Sequence, residues 1–200
     1  GELARELALK TSMHICAVFD DEAQAAAARQ AASRANMHVS RILVWVRQPG
    51  EALPFPPRYA DLIVSESAVT GGALPQVGDA LKRLLKPLRG QAVIGGLQAE
   101  NSLREWASAT GQENWEMTTS GGFSWARRTE PRMKEAGGWT HALGDAGNTM
   151  CSNDGVLKPP LGVVWVGEPF SARRSRGISP AILAEGVLIH QKTTVFDTKG

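Results

Sequence analysis

The stretch Tyr59-Ala60-Asp61-Leu62-Ile63-Val64-Ser65-Glu66 constrains this 200-residue chain more than any other. Its apolar run is too short for a helix and is apolar on both faces. That combination suits a strand buried in a parallel sheet. The polar residues at its carboxyl end fall where open α/β sheets bind ligands. Ser65 and Glu66 are therefore candidates for contact with a ligand, the plainer reading being that they start a loop. Further on, Leu84-Leu85-Lys86-Pro87-Leu88-Arg89-Gly90 reads as a helix end and a Pro/Gly turn, and Gln91–Ile94 as another apolar strand.

The flanking segments repeat this alternation. Leu3 and Leu7 share one helix face, with charges opposite. His14 to Phe19 reads as a strand. Asp20, Asp21 and Glu22 then open an alanine-rich helix to Asn36, where acids suit the positive end of the helix dipole. Arg41 to Val46 is the next strand, and Arg47 to Pro57 a Pro-rich loop. Leu74, Val77, Leu81, Leu84 and Leu85 mark a helix, and Asn101 is positioned to cap another carrying Leu103, Trp106 and Ala107. Trp115–Thr119 and Phe123–Arg127 alternate around Ser120-Gly121-Gly122, a hairpin signal. Strands alternating with helices predict a doubly wound α/β sheet with right-handed crossovers. The closing antiparallel hairpin narrows the choice.

In this order, residues 1–128 resemble class I S-adenosylmethionine-dependent methyltransferases, from just after the first strand of that fold onward. That sheet ends in such a hairpin. Ala60-Asp61-Leu62-Ile63-Val64-Ser65 is similar to the family's fourth-strand motif, and Leu85-Lys86-Pro87-Leu88-Arg89-Gly90 to its Leu-Lys-Pro-Gly-Gly turn. The helix Ala23–Asn36, with Ala25-Ala26-Ala27-Ala28-Arg29, is similar to its second helix. The resemblance implies a Rossmann-like sheet and S-adenosylmethionine as cofactor. It implies cofactor contacts at Gly1, which looks like the last residue of a Gly-rich loop, at Asp20 or Asp21 for the ribose, and at Ser65 and Glu66. It names no catalytic residue. The chain departs from the pattern in three places. The first strand and most of the Gly-rich loop are absent. The gapless equivalent of the ribose acid is Phe19. Arg47-Gln48-Pro49 stands where an acid near the adenine is common. Without a central first strand, ladder groups on both neighbours lack partners. The sheet is expected either to show a gap or to pair Ile15–Phe19 directly with Leu62–Ser65.

Thr129 to Gly138 is polar and reads as a linker. Residues 139–200 show no helical period, and short strands between turn signals mean an all-β segment. Ala184-Glu185-Gly186-Val187-Leu188-Ile189 and Val195-Phe196-Asp197-Thr198-Lys199-Gly200 resemble a β-propeller repeat of the pyrroloquinoline-quinone (PQQ) type. Trp139-Thr140-His141, Asp145, Gly147, Asn148 and Pro159-Pro160-Leu161-Gly162 are similar to the entry of a bacterial group that joins a methyltransferase-like domain to this propeller. One repeat cannot close a propeller, because each buries its faces on neighbours. Residues 139–200 are thus expected as an incomplete first part, poorly packed or paired against the α/β part. PQQ is not expected here, and Trp139 and Trp165 are read as packing residues.

Composition removes other classes. A net charge of +2 is too small to argue for nucleic acid or an anionic membrane. The cluster Arg173-Arg174-Ser175-Arg176 reads as a solvated loop. No apolar run approaches the ~18 residues of a membrane helix. Cys16, inside an apolar strand, is expected to be buried and inert. His14, His38, His141 and His190 lack ligand spacing and Cys151 has no neighbouring ligand, so no metal is expected. Hydrolase chemistry lacks its Gly-x-Ser-x-Gly elbow. The ends at Gly1 and Gly200 read as cuts from a longer protein, which leaves cytoplasm and periplasm both open. Two functions remain. The first is a methyltransferase fused to a propeller, acting on an unknown methyl acceptor. The second is a non-catalytic scaffold with a degenerate methyltransferase fold and a propeller platform for a protein partner. The missing acids at Phe19 and Arg47-Gln48 favour the second, and an intact Gly-rich loop upstream would favour the first. A quinone-dependent dehydrogenase would require a complete propeller.

Overall fold

The computed structural model describes residues 1–48, 51–53, 55–76, 78–156, 182–184, 187–190 and 194–197. The chain divides into two compact units, Gly1–Pro131 and Arg132–Gly200.

The first unit opens with α1 (Glu2–Lys10), β1 (Ile15–Phe19), α2 (Glu22–Arg34) and β2 (Ile42–Val46). The two strands pair in parallel, from Ile15 opposite Ile42 to Phe19 opposite Val46. Alternation along the strands sends Ile15, Phe19, Ile42, Val44 and Val46 to one face. There they pack with Ala8 of α1 and with Ala25, Ala28 and Ala32 of α2. Residues 25 and 32 are two helical turns apart, so both alanines meet the strands and bring the α2 backbone close. The opposite face stays open. Val18, Leu43 and Trp45 are 36%, 40% and 39% exposed, because the connection from β2 to the next strand contains no helix among the described residues.

The rest of this unit contains β3 (Leu62–Val64), α3 (Glu66–Val69), α4 (Gly78–Leu84), β4 (Gln91–Gly96), α5 (Glu100–Ala109), β5 (Glu116–Ser120) and β6 (Phe123–Thr129). The strand order is β3-β4-β6-β5, with β3 parallel to β4 and the closing hairpin antiparallel. Leu81, Leu85 and Ala92 form its core, with Ile63, Trp106 and Trp115 packed against them. Ser120 pairs with Phe123, so the hairpin loop is Gly121-Gly122. Both glycines have positive φ, 60° and 81°, as a type I′ turn requires.

The two halves form separate sheets, β1-β2 and β3-β4-β6-β5. Of the two arrangements the sequence allowed, the chain adopts the gap: β1 pairs only with β2, and β3 only with β4, among the described residues. This changes two local expectations. The Leu62–Val64 strand is an edge rather than a buried centre, and Val64 is 37% exposed. Cys16 is half-buried, with its Sγ 3.7 Å from Tyr59 Oη, instead of sealed in a core. Two helix boundaries also differ. The N-cap of α5 is Ala99, so Asn101 lies inside the first turn. Leu74 precedes α4, and Val77 lies outside the described residues.

In the second unit, β7 (Ile182–Ala184), β8 (Val187–His190) and β9 (Thr194–Asp197) form an antiparallel meander. The earlier residues are held by turn chemistry. The Asp145 carboxylate accepts from Gly147 N, Thr149 N and Thr149 Oγ1 at 2.9, 3.1 and 2.8 Å. The strand expected within 159–167, the Glu185-Gly186 turn, the basic cluster at 173–176 and Trp165 lie outside the described residues.

Candidate functional site

The residues singled out from the sequence lie just past the carboxyl ends of β1 and β3, and at the start of α1. β1 ends at Phe19, which leaves Asp20 and Asp21 one and two residues beyond it. Asp21 is the N-cap of α2, its side chain accepting from Gln24 N at 2.8 Å. The cap satisfies an otherwise unpaired helix N–H. Asp20 is 71% exposed. Its Oδ1 accepts from Arg47 Nε at 2.8 Å and lies 2.7 Å from Arg47 Nη2. Arg47 N in turn donates to Phe19 O at 2.8 Å, continuing the β1–β2 ladder by one residue.

On the other side, Ser65 caps α3 by accepting from Ala68 N at 3.4 Å and lies 3.0 Å from Ser67 Oγ. Glu66 Oε1 accepts from Glu2 N at 2.8 Å, and its Oε2 lies 3.3 Å from the Gly1 amino group. This carboxylate covers the start of α1, where unpaired N–H groups and the helix dipole favour negative charge. Gly1 is also close to β1: a Cβ built there would lie 3.6 Å from Phe19 Cζ and 3.2 Å from Ala28 Cβ. Of the five candidates, Gly1 and Glu66 are in direct contact. Asp20, Asp21 and Ser65 are engaged with their own neighbours. Chemically the arrangement offers acceptor-only carboxylates, suited to hydroxyl or amine groups. Near the break between the sheets, the hydrogen bond with Cys16 pushes the Tyr59 hydroxyl above its ordinary 10.0.

The two motifs that carried the methyltransferase resemblance meet each other at the opposite, amino end of β3. Lys86 Nζ lies 2.6 Å from Asp61 Oδ2, Lys86 N donates to Ala60 O at 3.0 Å, and Gln91 N donates to Asp61 O at 2.9 Å. A Cβ at Gly90 would fall 2.5 Å from Lys86 N, so only glycine fits. The Asp61 end of the first motif and the Lys86–Gly90 turn hold the strand entry, and only Ser65, at the far end of the first motif, belongs to the candidate site. Sequence reasoning missed the role of Arg47, which stands where an adenine-side acid was sought and pairs with Asp20. The β1–β2 register, with Phe19 opposite Val46, makes the following residues neighbours, a relation that spacing alone does not contain.

No family model matches the chain, and no curated protein does. Among solved structures it is similar to a Methanococcus maripaludis protein described as a candidate S-adenosyl-L-methionine-dependent methyltransferase. The TM-score is 0.54 and the identity 20%, over 66% of this chain and 74% of that one. The [4+2]-cyclase SpnF aligns with a TM-score of 0.48 and 14% identity, over 65% of this chain and 71% of its own. The first of these establishes a methyltransferase-like, Rossmann-type α/β fold. No helix among the described residues is long and apolar enough to cross a membrane.

Proposed function

We propose that the chain is part of an S-adenosylmethionine-dependent methyltransferase fused to a propeller of the PQQ-repeat type. In this reading residues 1–128 are the methyltransferase-like domain, 129–138 the linker and 139–200 the first part of the propeller, as in the bacterial group the sequence resembles. One observation carries the reading: on a methyltransferase-like fold, Gly1, Asp20, Asp21, Ser65 and Glu66 gather past the carboxyl ends of β1 and β3. Open α/β sheets bind their ligands at such strand ends.

Asp20 fits the ribose in one respect. Only Oδ1 is engaged by Arg47, and Oδ2 has no hydrogen-bond partner among the described residues. Asp20 would hold the ribose hydroxyls, Gly1 would lie toward the methionine end, and Ser65 and Glu66 would contact the methyl donor or the acceptor. S-adenosylmethionine, when bound, supplies an electrophilic methyl group on a sulfonium. The protein's share is then mainly alignment of donor and acceptor.

A second reading, a non-catalytic scaffold with a protein partner, draws on a different observation. Asp21 and Glu66 already serve as helix caps, so two of the acids have structural work independent of any ligand. Calorimetric titration of S-adenosylmethionine into the protein with its upstream sequence restored separates the two. Micromolar binding, lost in Asp20→Ala at an unchanged melting temperature, supports the methyltransferase. A well-folded protein that releases no heat supports the scaffold.

A further inference from the structure

The loops that lead into the parallel strands lie at the end of the sheets opposite the candidate ligand site. Residues 11–14 enter β1, 36–41 enter β2, 58–61 enter β3 and 86–90 enter β4. Contacts place these loops in one row. Arg41 Nε donates to Met13 O at 3.2 Å, which joins the β2 loop to the β1 loop. Cys16 Sγ lies 3.7 Å from Tyr59 Oη, which joins β1 to the β3 loop. Lys86 N donates to Ala60 O at 3.0 Å, which joins the β3 loop to the β4 loop. At the usual spacing of neighbouring strands, about 4.8 Å, such a row is on the order of 20 Å long.

Two residues of the row work against the stability of the fold. Val39 has φ of 64° and is 68% exposed, and Leu88 has φ of 71° and is 50% exposed. A β-branched or bulky side chain is strained in the left-handed region, which suits glycine or asparagine. An exposed apolar side chain gains little from burial in return. Asn36, with φ of 54° in the same loop as Val39, is the ordinary residue for such a turn. Met13 and Tyr59, 42% and 47% exposed, add apolar surface between Val39 and Leu88. Strain held on exposed side chains in two separate loops of one face points to a use outside the fold.

The charge of the row has one sign. Its cations are Arg41, Arg58, Lys86 and Arg89, and its acid is Asp61, which is already paired with Lys86. Arg41 donates to the carbonyls of Ala8, Thr11 and Met13, so no carboxylate offsets it there. Arg58 and Arg89 have no carboxylate partner among the described residues, and Arg89 Nη2 is buried without a hydrogen bond. The next acids, Glu113 and Glu130, lie past β4, and Glu130 is turned in on Arg128.

We propose that this amino-end face docks an acidic protein segment bearing apolar side chains, laid in extended form across the row from Val39 to Leu88. Its apolar side chains cover Val39, Met13, Tyr59 and Leu88. Its carboxylates lie in the field of Arg41, Arg58 and Arg89, which selects an acidic partner over a basic one. Val39 and Leu88 are the anchors, and their strain in the free chain is what their contacts with the partner offset. The face is at the far end of the strands from the candidate ligand site, so the proposal stands whether or not a methyl donor binds.

Fluorescence anisotropy tests it with a labelled peptide of repeated Leu-Glu-Glu, about twelve residues long. At about 3.1 Å per residue such a peptide spans the row. Val39→Asn and Leu88→Gly relieve backbone strain, so the double variant keeps its fold and its melting temperature holds or rises. The expected result is binding by the original chain that weakens about tenfold or more in the double variant. Arg58→Glu, a change on an exposed side chain, weakens it as well. Amide shifts on binding fall in the four loops. A merely structural role for Val39 and Leu88 would not give equal or greater stability together with weaker binding. The proposal fails if the peptide does not bind, if the double variant binds it equally well, or if a Leu-Lys-Lys peptide binds as tightly. Two further results overturn it by naming another occupant. One is dimerisation in sedimentation that the double variant abolishes, and the other is flotation with phosphatidylglycerol vesicles that it abolishes.

Discussion

Glu66 Oε1 accepts the backbone N–H of Glu2 at 2.8 Å and so ties the residue after β3 to the first turn of α1. α1 has no side-chain cap of its own, Gly1 being its N-cap, and Glu66 supplies that acceptor from a distant part of the chain. Glu66→Ala should lower stability by about 1 kcal/mol, the usual worth of a cap with its dipole interaction. The melting temperature should fall by about 2–4 °C. Glu66→Gln, which keeps an acceptor and loses the charge, should fall between the two. Equal melting temperatures for all three would show that the contact contributes nothing.

Asp21 caps α2 through Gln24 N. Asp21→Ala should cost about 1 kcal/mol, whereas Asp21→Ser should stay within a few tenths of the original. Urea titrations of the two variants check the difference. If both lose stability equally, the cap is not the reason for Asp21.

Leu88 holds φ at 71°, in the left-handed region, and is 50% exposed. The turn motif that this segment resembles has glycine there. Strain of about 1–2 kcal/mol for a non-glycine residue is partly offset by the greater freedom that glycine gives the unfolded chain. Leu88→Gly should therefore raise stability by about 0.5–1 kcal/mol. A lower midpoint in chemical denaturation would mean that the leucine side chain makes a contact worth more than the strain.

Gly96 has φ of 139°, and a Cβ there would lie 2.5 Å from Val69 Cα. Backbone strain and a backbone clash act together, so Gly96→Ala should cost more than about 2 kcal/mol. Loss of cooperative thermal unfolding, or a midpoint lowered by several degrees, is the expected readout.

The Glu100 carboxyl is held below its ordinary 4.5, first by its hydrogen bond from Arg104 and then by that from Thr119. A lowered folded value means stabilisation that is fully present above the unfolded value and is lost as pH falls through the folded one. The difference in urea midpoint between the original chain and Glu100→Gln should be largest near neutrality. It should shrink as pH falls from about 6 to about 3. A difference that grew on acidification would contradict the assignment.

Much of the first unit is legible in local pattern. The alternation at Phe123–Thr129, the alanines at 25 and 32 and the glycine pair at the hairpin each encode one element, because periodicity and φ preference act over a few residues. The Asp61–Leu62–Ile63 and Lys86–Pro87 motifs were readable as fold markers, and the Lys86–Asp61 contact accounts for their occurring together. The candidate site was less legible. Asp20 and Asp21 read as equivalent acids in the sequence, yet one caps a helix and the other pairs with Arg47. Their difference depends on where the backbone of Gln24 and the side chain of Arg47 arrive.

The sequence by itself determined most elements of the first unit, their order and the hairpin, since these follow from apolar period, caps and turn residues close together in the chain; the short helix α3, where a loop was expected, is the exception. It also carried the expectation that a sheet without its central strand would either open or close up. Only the tertiary structure decided that it opens, leaving Val64 at an edge and Cys16 half-buried beside Tyr59. It alone brought Glu66 onto the start of α1. Pairing β1 directly with β3 would have required both helix-covered faces to shift together. The packing of α1 and α2 on β1–β2, and of α4 on β3–β4 with α5 on the β5–β6 hairpin, fixes each half on its own core, and such long-range packing is not written in any local window of residues.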